Sequence, residues 1–139
     1  MADFEIAYAP LKDFEGGYDN DPDDRGGETY AGIARKFFPS WQGWKIIDKI
    51  KRSNQSKAAI NQAAKADHLL RDYVRAWYKT TWFDALGLGE LPQPLANEIF
   101  EQSVNLGKSG SGKKVQIICN AYNYQPGAKK LFADLKVDG

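Results

Sequence analysis

At 139 residues and 42% hydrophobic content the chain has the length of one domain with a real core, and it contains no run of about 18 apolar residues that would span a membrane. Its single cysteine, Cys119, and single histidine, His68, exclude a disulfide framework and leave almost no material for a His/Cys metal site or a Cys–His dyad, so no metal or other cofactor is expected. The net charge of +1 hides an asymmetry: nine carboxylates against Lys12 and Arg25 give residues 1–30 a charge of −7, which leaves +8 on residues 31–139.

The start, Met1-Ala2-Asp3-Phe4-Glu5, lacks the basic opening of a signal peptide, so synthesis in the cytoplasm and another exit route are expected. Phe4, Ala7, Tyr8, Leu11 and Phe14 then fall at helical spacing, with Pro10 as a kink or first-turn residue. Gly16-Gly17 supplies a stop and leaves Glu15 in the last turn. Residues 16–29, with Asp, Asn, Pro and four glycines, read as loop. A short helical piece is predicted over 33–38, before Pro39. Ser40 then offers a cap for a helix with Trp41, Trp44, Ile47 and Ile50 on one face.

After the connection at 53–56, an alanine-rich helix runs from about Lys57, with a possible restart at Asp67, and carries Leu70, Tyr73, Val74, Trp77, Tyr78 and Trp82. Gly87, Gly89, Pro92 and Pro94 break the chain. Leu95, Ile99, Phe100 and Ser103 mark a further helix ending at Asn105-Leu106-Gly107. Residues 108–112 have a flexible-linker composition too short to separate domains. Val115, Ile118, Cys119 and Tyr122 form one more helical face, and residues 128–135 a last short helix. With no convincing period-2 strand and no internal repeat, the expected class is all-α or nearly so.

The chemistry concentrates near the N-terminus. A carboxylate in the last turn of a helix meets the negative end of the macrodipole, which favours its protonated form and suits Glu15 to general acid work. Asp24 follows nine residues later and Thr29 five after that, across a loop whose glycines permit tight returns. Cleaving a glycosidic bond takes one carboxylic acid to protonate the leaving oxygen and a second carboxyl group for the water or the oxocarbenium-like centre. In that scheme Asp24 activates the water and the Thr29 hydroxyl positions it. An inverting mechanism would set the two carboxyls about 6.5–9.5 Å apart. Read alone, Glu15 is more simply a solvated helix end and residues 19–24 an acidic turn, and it is their company that favours catalysis; residues 19–24 lack the glycine and glutamate of an EF-hand loop.

Tyr18, Tyr30, Trp41 and Trp44 offer flat faces that suit pyranose rings, although Trp41 and Trp44 fit a core equally well. For Trp77, Tyr78 and Trp82 core packing is the better reading. His68 is expected at the surface or in the core, without catalytic partners. Lys113-Lys114 and Lys129-Lys130 read most simply as solvated helix faces, so no nucleic-acid partner is expected.

Glu15-Gly-Gly-Tyr, Asn20-Asp21-Pro22-x-Asp24-x-Gly26-Gly27-x-Thr29 and Gly32-Ile33 closely resemble the N-terminal signature of glycoside hydrolase family 108, a family of N-acetylmuramidases, also known as secretion activator proteins, with endolysin-like members. The similarity continues through Val74–Tyr78, Trp82, Leu91-Pro92 and Phe100–Gly107, where Asn105 becomes a further substrate-binding candidate, and reaches Val115–Asn120, which is similar to a C-terminal peptidoglycan-binding region. The resemblance implies a lysozyme-like, mainly helical fold. It also implies hydrolysis of the β-1,4 bond between N-acetylmuramic acid and N-acetylglucosamine, Glu15 in the catalytic position, and peptidoglycan glycan strands as the partner of a monomer. Residues 1–90 would form the catalytic region and 91–139 the binding-like region, packed together, the latter expected to be incomplete because related sequences run on past Gly139. Tyr30-Ala31 and Glu101 depart from the usual pattern. A lytic transglycosylase, needing one acid only, and a non-catalytic wall-binding protein are the alternatives.

Overall fold

A computed structural model describes residues 1–11, 16–21, 27–54, 56–122, 124 and 133–138, without the side chains of 108, 119 and 122. Glu15 and Asp24 lie outside the described residues, as does most of the helix expected over 128–135. The described chain is mainly helical with one small sheet. It divides into two compact units, residues 11–78 and residues 1–10 with 79–139, a division that does not coincide with 1–90 and 91–139.

In the unit of residues 11–78, three short strands, β1 (Asp19–Asn20), β2 (Glu28–Tyr30) and β3 (Ile33–Ala34), pair antiparallel in sequence order. Thr29 in the centre strand faces Asp19 on one side and Ala34 on the other. Two findings correct the sequence reading here: β1 and β2 fall in the span read as loop, and β3 replaces the helical piece expected over 33–38. The reason lies in the two residues between β2 and β3. Ala31 and Gly32 both have positive φ, 48° and 72°, as a two-residue primed hairpin requires. The Tyr78 hydroxyl donates to the Ala31 carbonyl at 3.0 Å in a buried setting, fixing the turn from outside.

Three helices complete this unit: α2 (Gly43–Ser53), α3 (Lys57–Ala66) and α4 (His68–Tyr78). Trp44 and Ile47 of α2, Ile60 and Ala64 of α3, and Leu70, Val74 and Tyr78 of α4 are buried, the inward faces that helical spacing predicts. Ser56 caps α3 by accepting from Ala59 N at 3.2 Å, and Asp67 separates the helices, its carboxylate accepting from Leu70 N at 2.8 Å. Ser40 does not cap α2: Gln42 is its N-cap residue and makes no side-chain cap bond. His68 is exposed, its Nδ1 2.5 Å from Arg71 Nη2.

The other unit joins the N-terminal helix α1 (Phe4–Tyr8) to a π-helical turn (Lys79–Asp84), a 3-10 turn (Leu88–Glu90) and the long helix α5 (Gln93–Tyr122). Asp3 caps α1 through Glu5 N at 2.7 Å. Phe4 sits in an aromatic cluster, 5.5 Å from Phe83 and 5.9 Å from Phe100, both edge-on. Pro94 lies in the first turn of α5, where its missing N–H is no loss. At Gly107 the helix kinks, with φ 78° and ψ 163°, a conformation essentially reserved for glycine. The helix end expected at 105–107 is thus a bend, and residues 108–112, read as linker, continue as helix with Ser111 buried.

Candidate active site

Tyr18 stands three residues after Glu15, and its surroundings define the described part of the site. Its backbone is held by the side-chain amide of Asn61 in α3: Tyr18 N donates to Oδ1 at 2.6 Å, and Nδ2 donates to Tyr18 O at 3.3 Å. The amide thereby acts as a strand partner for the segment that follows Gly16-Gly17. A Cβ at position 17 would overlap the Asn61 amide, so a larger residue than Gly17 would displace the side chain that holds Tyr18. The Tyr18 hydroxyl donates to Glu28 Oε1 at 3.0 Å. Burial raises the Tyr18 pKa, with the Lys51 contact opposing and Glu28 reinforcing that rise.

Glu28 is the hub of the network. Lys51 Nζ of α2 reaches its Oε1 at 2.5 Å, and Arg35 Nε lies 2.7 Å from its Oε2. Arg35 also forms a forked pair with Asp48, at 2.6 and 3.2 Å, and its guanidinium lies 4.5 Å from the centre of the Trp44 ring. The Arg35 bond holds the Asp48 carboxyl below its usual range, and the Glu28 bond raises Lys51. Glu28 starts the strand that closes the connection carrying Asp24, and through Lys51 and Arg35 it joins both flanks of the acidic segment to α2.

Beside this network an open cleft of about 460 Å³ is lined by Tyr18, Asp19, Asn20, Lys51, Asn54, Lys57 and Ile60. Asp19 pairs with Lys57 at 2.8 Å, and that bond lowers its pKa. Thr29, directly opposite Asp19 in the sheet, is half-buried. Asn105 is exposed on α5 two residues before the kink and belongs to the other unit.

The expected aromatic residues separate. Tyr30 and Trp44 are 5% and 3% exposed and belong to the core, with Trp44 Nε1 donating to Phe38 O at 2.8 Å. Trp41 is half-buried, edge-on to Trp44 at 5.1 Å, and its Nε1 donates to Tyr73 O at 3.4 Å. Trp77 is half-buried against Phe38, while Tyr78 is buried and Trp82 half-buried. Sequence reasoning missed Glu28, Arg35, Asp48 and Lys51. The available signal is the helical i, i+3 spacing of Asp48 and Lys51, but of their partners Glu28 lies on a strand that reads as loop and Arg35 just past β3 in a span that reads as helix.

The family model for glycosyl hydrolase 108 matches residues 9–107, which include Glu15, Asp24, Thr29 and the network around Glu28. The chain belongs to glycosyl hydrolase family 108. It is a glycoside hydrolase with a mainly helical fold. No curated protein and no solved structure matched the chain. Among the described residues no helix is long and apolar enough to cross a membrane. The family match stops at the kink of α5, so Val115–Asn120 lies beyond it.

Proposed function

We propose that the protein is an N-acetylmuramidase that cleaves the β-1,4 bond between N-acetylmuramic acid and N-acetylglucosamine in peptidoglycan. The reading is carried by one observation: family 108 membership over a segment in which Glu15, Asp24 and Thr29 are all present. Glu15 protonates the leaving oxygen as the bond breaks. Asp24 takes a proton from the attacking water, which the Thr29 hydroxyl orients, and the resulting sugar carries the new hydroxyl at its anomeric carbon. Neither step calls on a metal. Trp41, half-buried, is the ring that meets the sugar, and Tyr18, 5% exposed, holds the site through its bond to Glu28. Tyr30 and Trp44 support the site from the core. Val115–Asn120 assists wall binding, and the protein reaches the wall by export or phage-type release and acts as a monomer.

Mass spectrometry of fragments released from purified peptidoglycan tests the reading. Hydrolysis gives reducing muramyl ends, whereas attack by the sugar's own 6-hydroxyl gives anhydro ends lighter by one water and would assign a lytic transglycosylase. Glu15→Gln keeps the shape but removes the proton, so turnover should fall at least about 100-fold in a folded protein. Near-normal turnover by that variant would remove Glu15 from the mechanism.

A further inference from the structure

Most of the positive charge of the chain falls on one short stretch. Residues 35–57 hold seven basic side chains and a single acid, Asp48, so +6 of the +8 carried by residues 31–139 lies there. Arg35 and Lys51 are committed to the Glu28 network and Lys57 to Asp19, while Lys36 lies 5.9 Å from the centre of the Phe37 ring. The other three, Lys45, Lys49 and Arg52, are exposed on α2, and among the described residues none of them makes an ion pair or a side-chain hydrogen bond. Arg52 acts on Asp48 only at a distance. Their i, i+4, i+7 spacing sets the three within about 60° of one another around the helix and along about 10 Å of its length.

Helix stability does not account for this stripe. Like charges four residues apart repel. Lys45 stands in the first turn of α2, which holds no acid, where the macrodipole disfavours a cation; only Arg52, in the last turn, gains from it. A polyanion laid along the stripe would remove both repulsions.

We propose that the outer face of α2 docks a flexible phosphodiester polymer, a polyol phosphate chain of the kind found in cell envelopes. One cation per about 5 Å of helix calls for a partner with closely spaced charges. A peptidoglycan glycan strand carries lactyl carboxyls only on alternate sugars, and ties them up in amides with the stem peptide. A lipid surface takes apolar side chains and a single-stranded nucleic acid takes rings that stack on its bases, but the exposed residues of α2 are Lys45, Lys49, Arg52 and Ser53, none apolar or aromatic. Asp48 and Lys51 of the same helix hold Arg35 and Glu28, so the polymer seats on the element that anchors the candidate site. The proposal goes beyond the muramidase reading and does not depend on it, because docking needs no turnover.

The test is a calorimetric titration of the full chain with lipid-free poly(glycerol phosphate) at about 50 and about 200 mM salt. Three phosphate contacts predict a slope of about −2 in log K against log salt concentration, a loss of roughly 15-fold over that range. Lys45→Gln should weaken binding and bring the slope down by about 0.7 without lowering Tm, since this cation contributes nothing to the helix, and Lys45→Arg should keep both affinity and slope. Lys45→Gln, Lys49→Gln and Arg52→Gln together should abolish binding. Salt-independent binding, binding that survives the triple substitution, or a Tm lowered by Lys45→Gln overturns the proposal. Phosphatidylglycerol vesicles and duplex DNA at equal phosphate concentration are the comparison probes, and tighter stripe-dependent binding to either one overturns the polyol phosphate as occupant.

Discussion

Glu28 shows how much of the site depends on one carboxylate that is not itself in the proposed chemistry. It accepts from Tyr18 and Lys51 and lies against Arg35, so its removal leaves two cations and a hydroxyl around a neutral group. Glu28→Gln keeps the volume and should destabilise the fold by about 1–3 kcal/mol, the lower part of the range for a lost buried partner because Lys51 and Arg35 are each about a third exposed. Chemical denaturation of the variant checks this, and an unchanged midpoint would make the network decorative. Asp48 adds a pH dependence. Arg35 holds its folded pKa below the unfolded value of about 3.9, so its contribution is present above about pH 5 and is lost as the pH falls through the folded pKa. Melting curves between pH 3 and 7 should therefore decline at the acid end, and Asp48→Asn should start lower and flatten that decline.

At the scale of elements, the helices were legible in the sequence and the sheet was not. The inward faces of α2, α3 and α4 follow directly from apolar spacing, as Ile47, Ile60, Leu70 and Val74 show. Strands of two or three residues have no room to display a period of two, and a paired Asp19-Asn20 looks like any polar loop. Ile33-Ala34 was misread for a different reason: the Ala31-Gly32 turn that reverses the chain holds an alanine where Asn or Gly is the recognisable residue. The helical continuation through 108–112 was hidden because its glycines and serines signal flexibility, whereas here they allow close packing. The Ser103 hydroxyl lies 2.6 Å from Ile99 O and 2.7 Å from the Ser111 hydroxyl, a buried contact that joins the two limbs of the helix. Of the proposed catalytic residues, Glu15 is marked in the sequence by its place at the end of a helical pattern, whereas Asp24 and Thr29 rest on spacing and resemblance alone.

The primed turn gives a paired prediction. Ala31→Gly relieves a side chain held at φ 48° but adds freedom to the unfolded chain, so it should be neutral or stabilising by up to about 1 kcal/mol. Gly32→Ala places a methyl group at φ 72° and 3.0 Å from the Tyr78 hydroxyl, and should cost about 1–2 kcal/mol or more. Denaturation midpoints that moved in the opposite order would contradict the turn assignment.

At the scale of the whole molecule, the stretch that defines the family and the stretch that folds as a unit have different limits. The match begins at residue 9 and ends at 107, yet α1 precedes it and the second limb of α5 follows it, both within the unit of residues 1–10 and 79–139. Phe4 of α1 is 5% exposed and contributes one face of the Phe83–Phe100 cluster. Beyond the kink, Ser111 and Val115 line a cavity of about 240 Å³ together with Leu88 and Ile99, so this limb covers apolar side chains of the preceding elements. Removing a buried phenylalanine alone typically costs about 3–5 kcal/mol, against a total stability on the order of 5–15 kcal/mol for a domain. A fragment of residues 9–107 loses Phe4 and also uncovers Leu88 and Phe100, so its residues 79–107 are expected to lose their cooperative thermal transition while the unit of residues 11–78 keeps its own core. Phe4→Ala in the full chain should fall between the two, with a cooperative transition and a lower Tm. A fragment that melted cooperatively at the Tm of the full chain would show that α1 and the second limb of α5 are accessory, and that the hydrolase core ends where the family match does.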